Sequence, residues 1–329
     1  MPAPALDSLE RLSETFSLSD PTDRRKMLVI VNPYATTVSD RLRNLVVYAL
    51  QGRYDVDAID TEARDHATAL CREAASEGYD VVVAFGGDGT VNEAANGLAG
   101  CGTPLTCLPG GSTNVYCRML GIPNDIVDAT EHLLRIADDW RPQRVDLATV
   151  NGRSFLFSAG LGLDASVVRR VDAHPHLKAR LGPYYFAYAG VTDFLRHYVV
   201  DPPRMSVEAQ GRDLGDGVTV LVQNGDPYTY FRRIPLHVAE GATLDDGMLA
   251  GVVLRTSRPT VMPTVIWRIF SARARMVRHR QVDGFEACDD IVVRSVNERP
   301  IPLQVDGDYI GDVTEARFGI EPRALRVVS

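Results

Sequence analysis

The apolar run Met27-Leu28-Val29-Ile30-Val31 stops at Asn32-Pro33, which reads as a buried strand followed by a turn. The pattern then predicts a helix over about 39–50 and a second strand over about 54–59. An amphipathic helix is expected from Asp65 to Gly78, with Ala67, Leu70, Cys71, Ala74 and Ala75 on one face and Gly78 as its stop. Residues 80–85 form the clearest buried strand, and they run directly into Gly86-Gly87-Asp88-Gly89-Thr90. A helix over 91–98, a strand over 105–108 and the turn Pro109-Gly110-Gly111-Ser112-Thr113-Asn114 follow, with another helix after them. Strands alternating with helices imply an α/β domain, a Rossmann-like parallel sheet covered on both faces. Ligands of such sheets bind beyond the carboxyl ends of the strands, where all three turns fall.

The pattern changes near Arg144. Beyond it, β-branched segments recur at 155–158, 218–222, 249–254 and 291–296, interrupted by helical stretches at about 184–198 and 260–275. This half is expected to be an antiparallel, β-rich domain. There is no internal repeat and no low-complexity tract.

A length of 329 residues suits two domains, and 45% hydrophobic with 24% charged residues is ordinary for a globular chain. No run of about 18 uninterrupted apolar residues occurs, so no transmembrane helix is expected. The first 26 residues are polar, broken by Pro2, Pro4 and Pro21, and lack the basic start and apolar block of a secretory signal. They read as a flexible tail on a cytoplasmic protein. Five cysteines with no CxxC pair argue for buried thiols rather than disulfides or a zinc ribbon. A net charge of −8 argues against nucleic acid as a partner. The two lysines, Lys26 and Lys178, do not follow glycines, which excludes a Walker-type phosphate loop. Asn92 stands where the dinucleotide fingerprint needs its third glycine, and neither GxSxG nor HExxH occurs.

Between a strand and a helix N-terminus, Gly86, Gly87 and Gly89 would let backbone amides approach an anion closely. A carboxylate among them, Asp88, would repel phosphate unless it serves magnesium or accepts a proton. A tight turn with Asp88 capping the helix explains the same residues.

The stretch Gly86-Gly87-Asp88-Gly89-Thr90-Val91-Asn92-Glu93, continuing as Ala94-Ala95-Asn96-Gly97-Leu98, resembles the hallmark of the diacylglycerol kinase catalytic-domain family, which includes bacterial lipid kinases, sphingosine kinases and ceramide kinases. Asn32-Pro33 resembles the family's opening nucleotide motif, although Tyr34-Ala35-Thr36 replaces its small Ser-Gly. Thr61, with His66-Ala67 after it, resembles the threonine segment before the second helix, and Pro109 to Asn114 the second glycine loop. The resemblance runs from Met27 through most of the chain. It implies a kinase that uses ATP and magnesium to phosphorylate the hydroxyl of a diacylglycerol or related lipid alcohol. Asn32, Thr61, Gly86, Gly87, Asp88, Gly89, Thr90, Asn92, Glu93 and Ser112 would form its nucleotide site. Two departures stand out: Val115 replaces an aspartate, and Ser112 replaces a threonine.

In the second half, Gln304-Val305-Asp306-Gly307-Asp308-Tyr309 resembles the family element whose last acid is the general base, which would make Asp308 catalytic. Asp88 is the rival base, and an Asp-Gly hairpin turn is the plain alternative for this segment. Leu244-Asp245-Asp246-Gly247-Met248-Leu249 resembles a turn that holds a structural magnesium through Asp246 and the Met248 carbonyl; a plain turn again competes. Trp267, Phe270, Arg273, Arg275, Arg278 and Arg280 either rest on anionic headgroups or form a helix packed by its two aromatics. Tyr184, Tyr185, Phe186 and Tyr188 read as core before they read as lipid contacts. The family's domain order implies a nucleotide domain over 27–143, rejoined by residues 320–329, and a sandwich-like acceptor domain over 144–319, with a cleft between them. A peripheral membrane contact and a homodimer fit the same resemblance. An NAD kinase shares only the shorter GGDG, and a non-catalytic nucleotide- or lipid-binding relative is the other alternative, resting on Val115.

Overall fold

The computed structural model describes residues 8–9, 11–12, 24–271 and 273–329. The rest of the expected tail lies outside the described residues; within it, residues 8–9 and 11–12 are helical and Leu9 is fully buried. The chain divides into two compact units, Met1–Val145 with Arg323–Ser329, and Asp146–Pro322.

In the first unit, β1 (Lys26–Val31), β2 (Asp55–Asp60), β3 (Val81–Gly86) and β4 (Leu105–Pro109) form a parallel sheet in the order β2-β1-β3-β4. Every residue of β3 is buried, as a central parallel strand requires. Helices α1 (Asp40–Leu50), α2 (His66–Ser76), α3 (Asp88–Leu98), α4 (Val115–Met119) and α5 (Ile126–Arg135) connect and cover the strands. Ser39 caps α1 through the Leu42 amide, and Asp125 caps α5 through that of Val127. Gly78 follows α2 with a left-handed φ of 77°, the usual close of a helix. The end of β18 (Glu315–Val327) joins this sheet: Val327 pairs in parallel with Leu105, and the Gly100 amide donates to the Ala324 carbonyl at 2.8 Å.

Helix α3 begins at Asp88, three residues before the start that the pattern suggests. Gly89 looks like a breaker, yet in a first turn its amide has no intrahelical partner to lose, and an acid beside it favours the helix dipole.

The second unit holds two antiparallel sheets. One runs β14 (Val282–Cys288), β13 (Leu249–Leu254), β10 (Thr219–Gln223), β7 (Ser158–Gly162), β16 (Ile301–Val305), β17 (Asp308–Val313). The other runs β9 (Arg212–Gly217), β8 (Met205–Ala209), β15 (Asp290–Ser295) and the start of β18, which also pairs with β5 (Gln143–Val150), itself paired with β6 (Arg153–Phe155). Leu161, Val220, Val253 and Leu303 of the first sheet share a buried cluster with Val207, Ile291, Val293 and Phe318 of the second, which makes the unit sandwich-like. The hairpin β11 (Thr229–Phe231) and β12 (Ile234–Leu236) lies apart.

Four α-helices accompany these sheets: α6 (Leu163–Asp172), α7 (Pro175–Leu181), α8 (Pro183–Asp193) and α9 (Met262–Ile269). Helices α6 and α7 are absent from the sequence reading; Val167, Val168 and Val171 lower the helical signal of α6. Helix α9 stops at Ile269, well short of Arg275. There the Ser271 hydroxyl accepts from the amides of Arg273 and Ala274, a local turn that competes with helix. All five cysteines are free. Among the described residues, no helix is long and apolar enough to cross a membrane.

Candidate functional site

The order β2-β1-β3-β4 puts a topological switch point between β1 and β3, since the chain leaves β1 toward one edge and returns on its other side. Asn32 follows β1 and Gly87 follows β3, so both stand at the carboxyl end of the sheet. The Asn32 side-chain amide donates to the Thr90 hydroxyl at 3.0 Å, while its carbonyl oxygen accepts from the Tyr34 amide at 3.0 Å. The Asn32 amide in turn donates to the Phe85 carbonyl at 2.9 Å. One side chain therefore fixes the turn after β1 to the first turn of α3.

The two glycine turns are laced together. Gly110 donates to the Gly86 carbonyl at 2.8 Å, and the Thr37 amide and hydroxyl both donate to the Gly110 carbonyl. A Cβ on Gly86 would lie 2.4 Å from the Thr90 hydroxyl, and one on Gly111 would lie 2.9 Å from the Gly87 Cα. Close packing demands those two glycines. Gly87 differs: its φ of −89° suits any residue, and a Cβ there would meet nothing nearer than the Gly111 Cα at 3.6 Å. Packing leaves its missing side chain unexplained, whereas a ligand approaching the backbone explains it. Gly87 is also the N-cap of α3 and offers no side-chain acceptor to the first turn of that helix, the kind of helix start at which anions bind.

Asp88 accepts from the Tyr116 amide at 3.0 Å, which ties α3 to α4. Asn114, left-handed at φ 49°, accepts from the Gly111 amide at 2.8 Å and donates to Asn124 at 2.9 Å, holding the second turn in shape. Ser112 is exposed beside Thr113, Thr61 is buried after β2, and Gly89, Thr90 and Asn92 lie in the first turns of α3. Glu93 departs from this group. Its carboxylate accepts from the Ala67 amide at 3.3 Å, at the start of α2, where the N-cap Asp65 makes no side-chain capping bond. Glu93 thus supplies a helix cap from a neighbouring helix, a role its place in the motif does not reveal.

In the second unit, Asp306 and Gly307 join β16 to β17 in a two-residue turn with φ values of 49° and 84°, the left-handed pair of a tight hairpin. The buried Asp306 carboxylate accepts from the amides of Leu156 at 2.7 Å, Phe157 at 3.0 Å and Ser158 at 3.1 Å. Asp308, half-buried, opens β17 opposite Val305. Behind it, the Gly307 amide donates to the Gln304 side chain at 2.9 Å, and the Gln304 amide group donates to Asp164 at 2.8 Å. The Tyr228 hydroxyl donates to the other Asp164 oxygen at 2.5 Å. Burial raises the Asp164 carboxyl above the ordinary range and outweighs these two bonds, which act downward. Burial also pushes the Tyr228 hydroxyl well up, with Asp164 adding to it. Asp164 and Tyr228 are absent from the sequence reading. The signal for Asp164 is Gly160-Leu161-Gly162 before it: a strand, a glycine turn and an acid at a helix start, the same grammar as Gly87-Asp88.

The Asp246 turn closes on itself, since the Asp246 carboxylate accepts from the Met248 amide at 2.9 Å. Asp146, buried and far away in sequence, accepts from the Gly247 amide at 2.6 Å. Among the described residues, no three His, Cys, Asp or Glu side chains gather in metal-holding geometry.

Comparison with known proteins agrees with the two units. Residues 26–149 match the family model described as the diacylglycerol kinase catalytic domain, and residues 157–329 match that of the YegS C-terminal NAD kinase beta sandwich-like domain. A protein of Staphylococcus aureus (strain bovine RF122 / ET3-1) named diacylglycerol kinase is 26% identical over 305 residues, 91% of this chain and 90% of that protein. Its counterpart in strain JH9 is 26% identical over 303 residues. A solved structure from Bacillus anthracis, provisionally named a diacylglycerol kinase, superposes with a TM-score of 0.73 at 26% identity, covering 94% of this chain and 98% of that one.

Proposed function

Since the chain belongs to the diacylglycerol kinase family, joining its catalytic domain to the YegS-type C-terminal domain, we propose that it transfers the γ-phosphate of ATP to the hydroxyl of a diacylglycerol or a related lipid alcohol. The observation that carries the nucleotide half is Gly87: a glycine at the switch point, capping a helix, that neither backbone strain nor packing requires. Phosphate oxygens would take amides of the first turn of α3, and Ser112 would add an exposed hydroxyl. Asn32 and Thr90 hold the turn around them.

A phosphate-bound magnesium takes its ligands from phosphate, water and one or two carboxylates, so Asp88 alone meets its need from this chain. When bound, that ion offsets the charge that develops in phosphoryl transfer. Asp246 and the Met248 carbonyl would be the oxygens that this chain offers to a second, structural magnesium.

For the acceptor we assign Asp308 as general base. Its turn is anchored by the three amides on Asp306 and by Gln304, which supports a carboxylate held in one position yet open to solvent. Asp88, already engaged by the Tyr116 amide, suits the nucleotide side better.

The test is incubation of the full chain with labelled ATP, magnesium, a panel of lipid alcohols, and NAD in parallel. Label in a phospholipid supports the proposal. Label in NADP alone, or ATP bound with no transfer to any acceptor, overturns it.

A further inference from the structure

Helix α8 and the π-turn after it (Phe194–Tyr198) turn an apolar face outward. Tyr184, Tyr188, Val191 and Leu195 recur at helical spacing, and each is more than half exposed. On the opposite face, Tyr185 and Ala189 are buried against Val171 of α6. A ring chain extends this surface: Phe231 meets Tyr184 at 6.2 Å and Phe270 at 5.7 Å. Phe270 follows α9, whose Ile266 and Trp267 are 48% and 61% exposed. Trp267 and Phe270 therefore do not pack the helix, contrary to the ordinary reading of that segment, and Tyr184 and Tyr188 are not core. Of fifteen large hydrophobic side chains exposed among the described residues, eleven fall between Leu181 and Phe270. Such concentration marks an interaction surface rather than scattered exposure.

Charge identifies the occupant. From Arg258 to Arg280 the sequence carries six arginines and no acid, on a chain of net charge −8. Arg273, Arg278 and Arg280 are exposed, and Arg232 and Arg233 extend from the hairpin that carries Phe231. A second copy is a poor fit, because a two-fold interface would set this arginine-rich rim against itself. Aromatic side chains beside arginines instead suit the headgroup level of a bilayer. We propose that this face of the second unit docks on an anionic lipid surface, with Trp267, Tyr184 and Tyr188 entering the interface and the arginines meeting the lipid phosphates. The surface rests on its own geometry; its purpose, delivery of a lipid alcohol to the enzyme, rests on the lipid-kinase reading.

Sedimentation of the full chain with vesicles tests this directly. Binding to phosphatidylcholine vesicles with about 30% phosphatidylglycerol should exceed binding to pure phosphatidylcholine at least tenfold and weaken with salt, since each basic residue at an anionic surface counts for about fivefold. Tyr188→Ser with Trp267→Ser should lose binding about tenfold or more, as should Arg273→Glu with Arg280→Glu. The chain has two tryptophans. Acyl-chain bromolipids should quench the fluorescence of the native chain, and Trp267→Phe should abolish that quenching. Equal binding to both vesicles, quenching that survives in Trp267→Phe, or a lipid-free dimer that Trp267→Ser converts to monomer would each overturn the proposal. Phosphorylation of a short-chain diacylglycerol in free solution separates the two readings. If it proceeds while vesicles are ignored, only the docking surface fails; if vesicles bind without any transfer, the kinase reading fails.

Discussion

Asp88 and Tyr116 are joined by a 3.0 Å hydrogen bond from the Tyr116 amide to the Asp88 carboxylate, so the acid of the first glycine turn also anchors the helix after the second. Asp88→Ala would remove the charge and the anchor at once. Asp88→Asn keeps an oxygen for the Tyr116 amide and removes only the charge. We expect it to lower turnover by about 10²-fold or more. Loss of a first-turn charge should cost about 0.3–1 kcal/mol, a few degrees at most in Tm. Steady-state kinetics beside a melting curve checks this; near-normal turnover in a folded variant would remove Asp88 from the mechanism.

The glycines around the turn should separate into two groups. Gly86→Ala and Gly111→Ala each drive a Cβ to within 3 Å of a neighbour, so both should lower stability, by about 1–3 kcal/mol on the scale of overpacking. Gly87→Ala meets no such neighbour and should cost at most about 1 kcal/mol, the change of N-cap residue, while weakening ATP binding at least about tenfold. Calorimetric titration with ATP and urea denaturation of the three variants give both readings. A Gly87→Ala protein that binds ATP normally would exclude close phosphate approach at that residue.

The strands of the first unit and the glycine turns after them were legible because buried parallel strands are written as continuous apolar runs, such as residues 81–85, and because glycine and proline punctuate them. The sandwich was legible as a class but not in its helices. The valines of α6 resemble a strand locally, and only packing against neighbouring elements makes them helical. Site residues were legible as a motif but not as roles. Glu93 sits in the hallmark yet caps α2, and Asp306 and Asp308 are two residues apart yet differ in kind. Nothing local distinguishes them, because the three amides that claim Asp306 come from residues about 150 positions earlier.

That difference is measurable. Asp306→Ala would leave three buried amides without their acceptor, and should cost about 2–5 kcal/mol of stability. Asp308→Asn should melt like the native chain, bind ATP with unchanged affinity and turn over about 10²- to 10⁴-fold more slowly, the scale of a lost general base. Urea denaturation, ATP titration and single-turnover kinetics separate the two. Should Asp308→Asn instead lose ATP affinity and keep its rate at saturating nucleotide, the role of base would pass to Asp88.

Asp164 gives the stability a pH dependence of unusual sign. In the unfolded chain its carboxyl releases its proton near an ordinary pKa of about 3.9, whereas burial holds the folded pKa higher. Between those two values the native state binds more protons than the unfolded state, so this group's contribution is complete below the unfolded pKa and falls as pH rises, flattening above the folded pKa. Asp164→Asn lacks that dependence, and the Tyr228 hydroxyl can rotate to accept from the new amide. The variant should therefore gain on the native chain as pH rises from about 4, by up to about 1.4 kcal/mol per pH unit within the window. Urea midpoints of both proteins from pH 4 to pH 7 measure the difference, and a flat difference would mean that Asp164 titrates as an exposed carboxyl does. The same substitution alters the partner of Gln304, which holds the Gly307 amide behind Asp308. Turnover should fall while ATP affinity holds, so that a variant more stable at neutral pH is also the slower enzyme.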